Sequence, residues 1–376
     1  MVLESVLKLP ASVDNADCVS IYKQLAETNL AIGKMDTLVK YSIVNESLLS
    51  LLSFNESVQS TRIEGTQVTF HNFMENKDRN ELDWQQKEVA NYHEALMYGI
   101  SQIKDHDMPI STRLIKKIHN ILMEGGRGTS SASGEFRKVQ NFIGPDNNIS
   151  NAVYIPVKPN EISSYMENLE FFINGENHSS FMISKDTDRE YFTYDCSPLI
   201  KMAVSHAQFE SIHPFLDGNG RLGRILLVLI SVKNNLVSSP IFFVSEELEK
   251  ERIRYYNSLN ATRGQEPDWS KWLLFFLKAS ERMANNIIEK LLNVDNIAQR
   301  GLMNCNNDTQ KNIWLATFYK PVATAKEISD YLNIHPSTAK KGLDFFVAQN
   351  MLDKDMSKKR NQKYYNYDLL RTISSN

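Results

Sequence analysis

Apolar residues recur along this chain mostly with helical spacing. Leu199, Ile200, Ala203, Val204 and Ala207 fall at i, i+1, i+4, i+5 and i+8, one stripe along an α-helix. Leu222, Ile225, Leu226, Leu229 and Ile230 draw a second stripe after a short glycine-containing segment. The run Trp269 to Leu277 is apolar on nearly every side, the pattern of a helix sunk in a core. Strand-like alternation is rare. It is clearest from Val139 to Val157, where Gly144-Pro-Asp-Asn-Asn148 separates two short runs and predicts a hairpin. The pattern as a whole predicts a mainly α protein.

Beyond the polar stretch Asn304 to Asp308 the character changes. A helix is predicted over Lys311–Tyr319, another from Thr324 to Leu332, a turn at Asn333 and a third helix from Pro336. Two short β-prone runs follow between Met351 and Tyr367. That order of elements is the one a winged helix-turn-helix unit uses. Residues 306–376 hold eleven Lys/Arg against seven Asp/Glu, whereas the whole chain of 376 residues holds 42 against 45. A local +4 therefore sits on a body of −7. A globally basic nucleic-acid coat is excluded, but a local basic module is not: Lys340 and Lys341 fall near the start of the third helix and Lys358-Lys359-Arg360 in the wing.

With 42% apolar and 23% charged residues, disorder, collagen and coiled-coil rods are excluded, and the length suits two or three packed units. Cys18, Cys196 and Cys305 are too few and too scattered for a disulfide framework or a zinc site. The longest apolar stretch, near Ile225 to Val232, is far short of a membrane span, and an acidic Glu4 stands where a signal peptide wants positive charge. The expectation is a soluble cytoplasmic protein with no membrane partner.

Between the two striped helices stands His213-Pro-Phe-Leu-Asp217-Gly218-Asn219-Gly220-Arg221-Leu222-Gly223-Arg224. Two glycines let the backbone turn freely just where the next helix begins, and a helix N-terminus with unused amides is an anion site. Arg221 and Arg224, three residues apart, are able to fork onto phosphate oxygens. Asp217 supplies a hard oxygen suited to Mg²⁺, and His213 takes a proton near neutral pH. Base, metal ligand, amide cradle and cations within twelve residues describe a site for phosphoryl or nucleotidyl transfer. The motif G-x-x-x-x-G-K-[ST] is absent, so the phosphate site is of another kind.

The segment resembles, without a mismatch, the Fic family signature His-x-Phe-x-[Asp/Glu]-Gly-Asn-Gly-Arg-x-x-Arg. Gly134-Glu-Phe-Arg137 with the following Val139-Gln-Asn-Phe-Ile-Gly144 resembles the start of that family's β-hairpin flap, and Tyr255-Tyr256 its nucleotide-side helix. The resemblance implies a Fic helical core with a flap and transfer of AMP from ATP, the co-substrate, to a Ser, Thr or Tyr hydroxyl of a target protein, including the enzyme itself. It implies His213 as general base, Phe215 as loop anchor and Asp217 as ligand of Mg²⁺, the cofactor. Gly218, Asn219 and Gly220 would form the anion hole, Arg221 would hold the β-phosphate and Arg224 the γ-phosphate. Leu222 and Gly223 complete the phosphate-binding segment, and Tyr256 belongs to the adenosine pocket. A homodimer is the family precedent.

Upstream, Ser60-Thr-Arg-Ile-Glu64-Gly65 resembles the family's inhibitory pattern [Ser/Thr]-x-x-x-Glu-[Gly/Asn]. Ser60 and Glu64 share a helical face and Gly65 suits the helix end. The resemblance implies that Glu64 pairs with Arg224 and spoils the ATP pose. The expected organisation is an N-terminal helical region over 1–105 with its inhibitory helix at about 55–65, a Fic catalytic domain over 106–292 and a winged helix-turn-helix over 305–376. Alternatives are a DNA-binding regulator acting through the last unit, and a Fic enzyme that removes AMP or transfers another nucleotidyl or phosphoryl group.

Overall fold

The helices begin where short polar side chains can accept from free backbone amides. Thr69, Asp83, Ser111, Asp268, Asn307 and Thr324 each cap one in this way. The computed structural model describes residues 2–77, 81–125, 132–145, 148–181, 187–358 and 360–374, and these are mainly helical.

In chain order, β1 (Leu3–Glu4) and β2 (Ala11–Asp14) lead into α1 (Asn15–Tyr41) and α2 (Asn45–Ile63). Next come α3 (Phe70–Asn76), α4 (Trp84–Lys104), α5 (Thr112–Leu122), β3 (Tyr154–Ile155), α6 (Ile162–Asn174) and β4 (Arg189–Phe192). The central pair is α7 (Pro198–Ile212) and α8 (Asn219–Lys233), followed by α9 (Ser245–Lys250), α10 (Arg252–Ala261) and the long α11 (Trp269–Met303). The remainder is α12 (Asp308–Tyr319), β5 (Val322–Thr324), α13 (Ala325–Leu332), α14 (Pro336–Ala348), β6 (Asp353–Lys354), β7 (Lys363–Tyr365) and α15 (Tyr367–Ser374).

The stripe read on α7 understates its burial, because every residue from Leu199 to Ile212 is buried. Some of its backbone carbonyls and polar side chains are bonded inside the core. Trp272 donates its indole N–H to Ala203 O (2.8 Å), Tyr154 OH donates to Ser211 O (2.6 Å) and Gln208 Nε2 donates to Leu7 O (3.0 Å). The middle of α2, from Asn55 to Thr61, is buried as well. Glu56 bolts it down, accepting from Tyr92 OH (3.2 Å), Ser245 N (3.2 Å) and the Ser245 hydroxyl.

The hairpin read from 139 to 157 is much reduced. Its antiparallel pairing is a single bridge between Ile143 and Tyr154, and β3 instead pairs in parallel with β1. Competing donors explain the loss: Arg137 takes the carbonyls of Val139 and Val157, Gln140 takes that of Pro156, and Pro145 and Pro156 have no N–H to give. Asp146 and Asn147, in the expected turn, lie outside the described residues. A further antiparallel pair, β2 with β4, had no legible alternation.

The last unit does not hang free. β5, β7 and β6 form its sheet, and α12 is keyed onto α11, with Trp314 Nε1 donating to Ala298 O at 2.9 Å. A Cβ at Gly301 would stand 2.0 Å from the Trp314 ring, so the indole fills the space that glycine leaves. The same unit also reaches the N-terminal helices. Tyr319 OH donates to Glu46 (3.0 Å) at the start of α2, while Lys363 Nζ and Tyr365 OH donate to Glu75 on α3 (2.8 and 3.2 Å).

Candidate active site

Pro214 prevents α7 from continuing, and His213 closes it in a left-handed conformation (φ 49°). A non-glycine residue held there costs on the order of 1 kcal/mol or more, so the surroundings must fix it. They do. Arg137 Nε donates to His213 O and its backbone N–H to Pro214 O, each at 2.9 Å. Phe215, fully buried, lies flat on the His119 ring at 3.8 Å between centroids. His119 accepts from Gly134 N on Nδ1 (2.9 Å) and reaches Asp217 O with Nε2 (3.0 Å). The Asn219 side chain accepts from Phe215 N and donates to Phe215 O, both at 2.9 Å.

Side chains thus hold the loop through its own backbone groups, and what is left for a ligand is the start of the helix that follows. Helix α8 starts behind Gly218, whose φ of 78° suits only glycine well, and no side chain caps it. Amides of the first turn therefore lack intrahelical acceptors and point out of the helix end. They adjoin a cavity of about 450 Å³ lined by His213, Gly220, Arg224, Glu64, Glu210 and Tyr256 among others. Ile143, Gly144 and Val153 wall it from the shortened hairpin.

Arg224 is 1% exposed, and its partners come from α2, about 160 residues upstream. Nε donates to Ser60 Oγ (2.8 Å), and Nη2 donates to Ser60 O (3.0 Å) and to Glu64 Oε1 (2.7 Å). Burial works against both charges, but the pairing more than offsets it, raising Arg224 and lowering Glu64 relative to their ordinary values. Gly65, at φ 101°, ends the helix directly after Glu64. Burial, and then the nearby Arg263, push His213 down to about 4, so its imidazole is neutral at pH 7. Its Nδ1 faces Glu210 O at 3.3 Å, which leaves Nε2 as the nitrogen without a partner among the described residues.

Residues 109–231 match the Fic/DOC family and residues 22–101 the Fic/DOC family N-terminal region, together more than half of the chain. The chain belongs to the Fic/DOC family. It is 25% identical over 175 residues to "Protein adenylyltransferase Fic" of Drosophila ananassae, covering 46% of this chain and 29% of that one. To the protein of the same name from Drosophila virilis it is 23% identical over 246 residues, covering 65% and 41%. The chain thus spans less than half the length of these curated relatives. The crystal structure of a Fic family protein from Desulfovibrio desulfuricans shares the fold with a TM-score of 0.56 at 17% identity, over 96% of this chain and 98% of that one.

Within this Fic/DOC site the anticipated residues are not all in one place. His213, Gly220, Arg224, Glu64 and Tyr256 line the cavity. Arg221, expected beside Arg224, turns toward α4 instead, with Nη1 3.7 Å from Glu88 and Nη2 3.5 Å from Asp217. Leu222 is a fully buried core residue, and the Asn219 side chain is committed to Phe215, so Asn219 offers a ligand its backbone. Tyr256 is 38% exposed, with the Arg252 guanidinium 5.9 Å from its ring centre.

Sequence reasoning missed the residues that fasten this loop. His119, Glu88 and Arg263 lie far from the motif and belong to no short pattern. Arg137 stood in view within Gly134-Glu-Phe-Arg137, but as part of a hairpin rather than as the clamp on His213.

Proposed function

We propose that this chain is a protein adenylyltransferase that moves AMP from ATP to a Ser, Thr or Tyr hydroxyl of a target protein, and that Glu64 restrains it. The observation that carries the reading is the 2.7 Å pairing of Glu64 with Arg224 in the cavity that also holds His213 and the start of α8. Anionic phosphates suit the unused amides and the guanidinium, and a neutral histidine with one free nitrogen suits proton removal. The target hydroxyl loses its proton to His213 Nε2, and its oxygen bonds to the α-phosphorus. The bond from that phosphorus to the bridging oxygen breaks, and pyrophosphate leaves. Arg224, once free of Glu64, grips the γ-phosphate and balances the charge that collects on the leaving group.

Asp217 fits a Mg²⁺ ligand: its side chain is 56% exposed, and it brings a hard oxygen of the kind this ion takes together with phosphate oxygens. Bound there, the ion would neutralise phosphate charge. The test uses ATP labelled at the α- or the γ-phosphate. Glu64→Gly should raise transfer of the α label to protein, and His213→Ala should abolish it. Transfer of the γ label in place of the α label would replace adenylyl with phosphoryl transfer.

A second activity is supported by α14. Lys340 and Lys341 are exposed on it, and Lys358 and Arg360 are exposed between β6 and β7. We propose residues 308–374 as a winged helix-turn-helix that touches duplex phosphates with these side chains. Lys359 lies outside the described residues.

A further inference from the structure

One buried acid in the cavity has no part in the chemistry above. Glu210 lies on the last turn of α7, three residues before His213, and is 6% exposed. It lines the cavity, yet its Oε1 is buried without a hydrogen-bond partner among the described residues. Leaving such an atom unpaired costs about 1–3 kcal/mol, more when charged, so native structures keep few of them. The position is also built for it. A Cβ at Gly223 would stand 2.4 Å from that same oxygen, so the glycine one residue before Arg224 makes room for the carboxylate.

Three neighbouring groups carry donors that could serve it. His206 spends its two ring nitrogens on Gly223 O (3.2 Å) and Tyr255 OH (2.8 Å). Arg263 donates to Ser211 Oγ, Asn260 Oδ1 and the backbone carbonyl of Glu210 itself. Arg224 bears on Glu210 more strongly than Arg263 does, and here it is drawn toward α2 by Ser60 and Glu64. Its Nη1 lies against Gly220 and donates to no described residue.

We propose that Glu210 is the second carboxylate partner of Arg224, a positioning residue that holds the guanidinium ready for the γ-phosphate once Glu64 withdraws. One guanidinium then serves two acids: Glu64 on α2 in the restrained state and Glu210 on α7 in the released one. Restraint gains one ion pair but strands one buried acid, so part of its stabilisation is offset. Burial pushes the Glu210 carboxyl up to about 7, with Arg224 and Arg263 acting downward and Glu64 upward, in keeping with an acid parked without its cation.

This inference rests on the reading of Arg224 as the γ-phosphate grip, and its test separates the two. The 376-residue chain carrying Glu64→Gly is titrated with ATP and with ADP, both with Mg²⁺, by calorimetry. A preference for ATP over ADP reports the grip, and adding Arg224→Ala should erase it. If Arg224→Ala keeps the preference, the γ-phosphate reading fails and the inference with it. Adding Glu210→Gln, which keeps the shape and removes the charge, should lower the preference about tenfold, the scale of one charge-assisted hydrogen bond, with ADP affinity and melting temperature unchanged. Adding Gly223→Ala, which displaces the carboxylate, should also lower the ATP preference, here at a cost in melting temperature because the new methyl group crowds His206 and Phe209. An undiminished ATP preference in Glu210→Gln would overturn the role of Glu210 while leaving Arg224 in place.

Discussion

The loop between α7 and α8 and the unit that follows α11 make opposite use of their charged and polar side chains. In the loop, Asn219, His119 and Arg137 bond inward to backbone, so the surface offered to a ligand is the helix end and a few fixed groups. In the terminal unit the buried residues, Trp314, Leu343 and Phe346, do the packing, and the lysines of α14 extend into solvent. The first arrangement is preorganised for one geometry and should be insensitive to salt. The second, in the proposed contact with duplex phosphates, should weaken steeply as salt rises.

Four experiments would break or sharpen that contrast. The largest effect is expected from His213→Ala in the Glu64→Gly background: AMP transfer measured with α-labelled ATP should fall by roughly 10²–10⁴-fold, the usual worth of a positioned base. A fall of a few-fold would mean that the loop does not act through this histidine. Next, Trp314→Ala should lower stability by about 3–5 kcal/mol, read by urea denaturation, because the indole is fully enclosed. A change below about 1 kcal/mol would show that the terminal unit is packed only loosely.

Intermediate in size is the pH response of kcat/KM. With His213 held at about 4, its neutral form dominates above that pH, so in the Glu210→Gln background, where that carboxyl no longer titrates, the acid limb should lie near 4. An ordinary histidine would lose half its activity near 6.5. Smallest in its effect on catalysis is Lys340→Glu with Lys341→Glu. Retention on random duplex DNA should vanish while AMP transfer stays within about twofold, since both side chains are exposed and outside the cavity. No retention of the unaltered protein at low salt would remove the nucleic-acid role altogether.

What could be read in advance follows the same division. The helices and the turn between α7 and α8 were legible because their information is local: a stripe at helical spacing, a proline after a histidine, and glycines at a turn. The pairing of Ser60 and Glu64 with Arg224 was legible too, although they meet only after about 160 residues, because the pattern on α2 is itself short. The hairpin was over-read because nothing near Val139 or Val157 announces that the Arg137 guanidinium will take their carbonyls. Glu88 and Glu210 escaped for a related reason, as an acidic residue on a helix ordinarily looks like solvent-facing surface. The two arginines were placed together by spacing, but different helices supply their carboxylates, Glu88 from α4 and Glu64 from α2.

The seating of Trp314 over Gly301 has a practical consequence for anyone who trims this protein. Cutting in the turn after α11 would strip an aromatic lid from that helix, expose a groove shaped for it and leave Glu46 and Glu75 facing water. A shortened version would be prone to stick to itself, and the loss of solubility could be mistaken for a loss of enzymatic competence. Point changes on the outer face of α14 interrogate the terminal unit without that confusion.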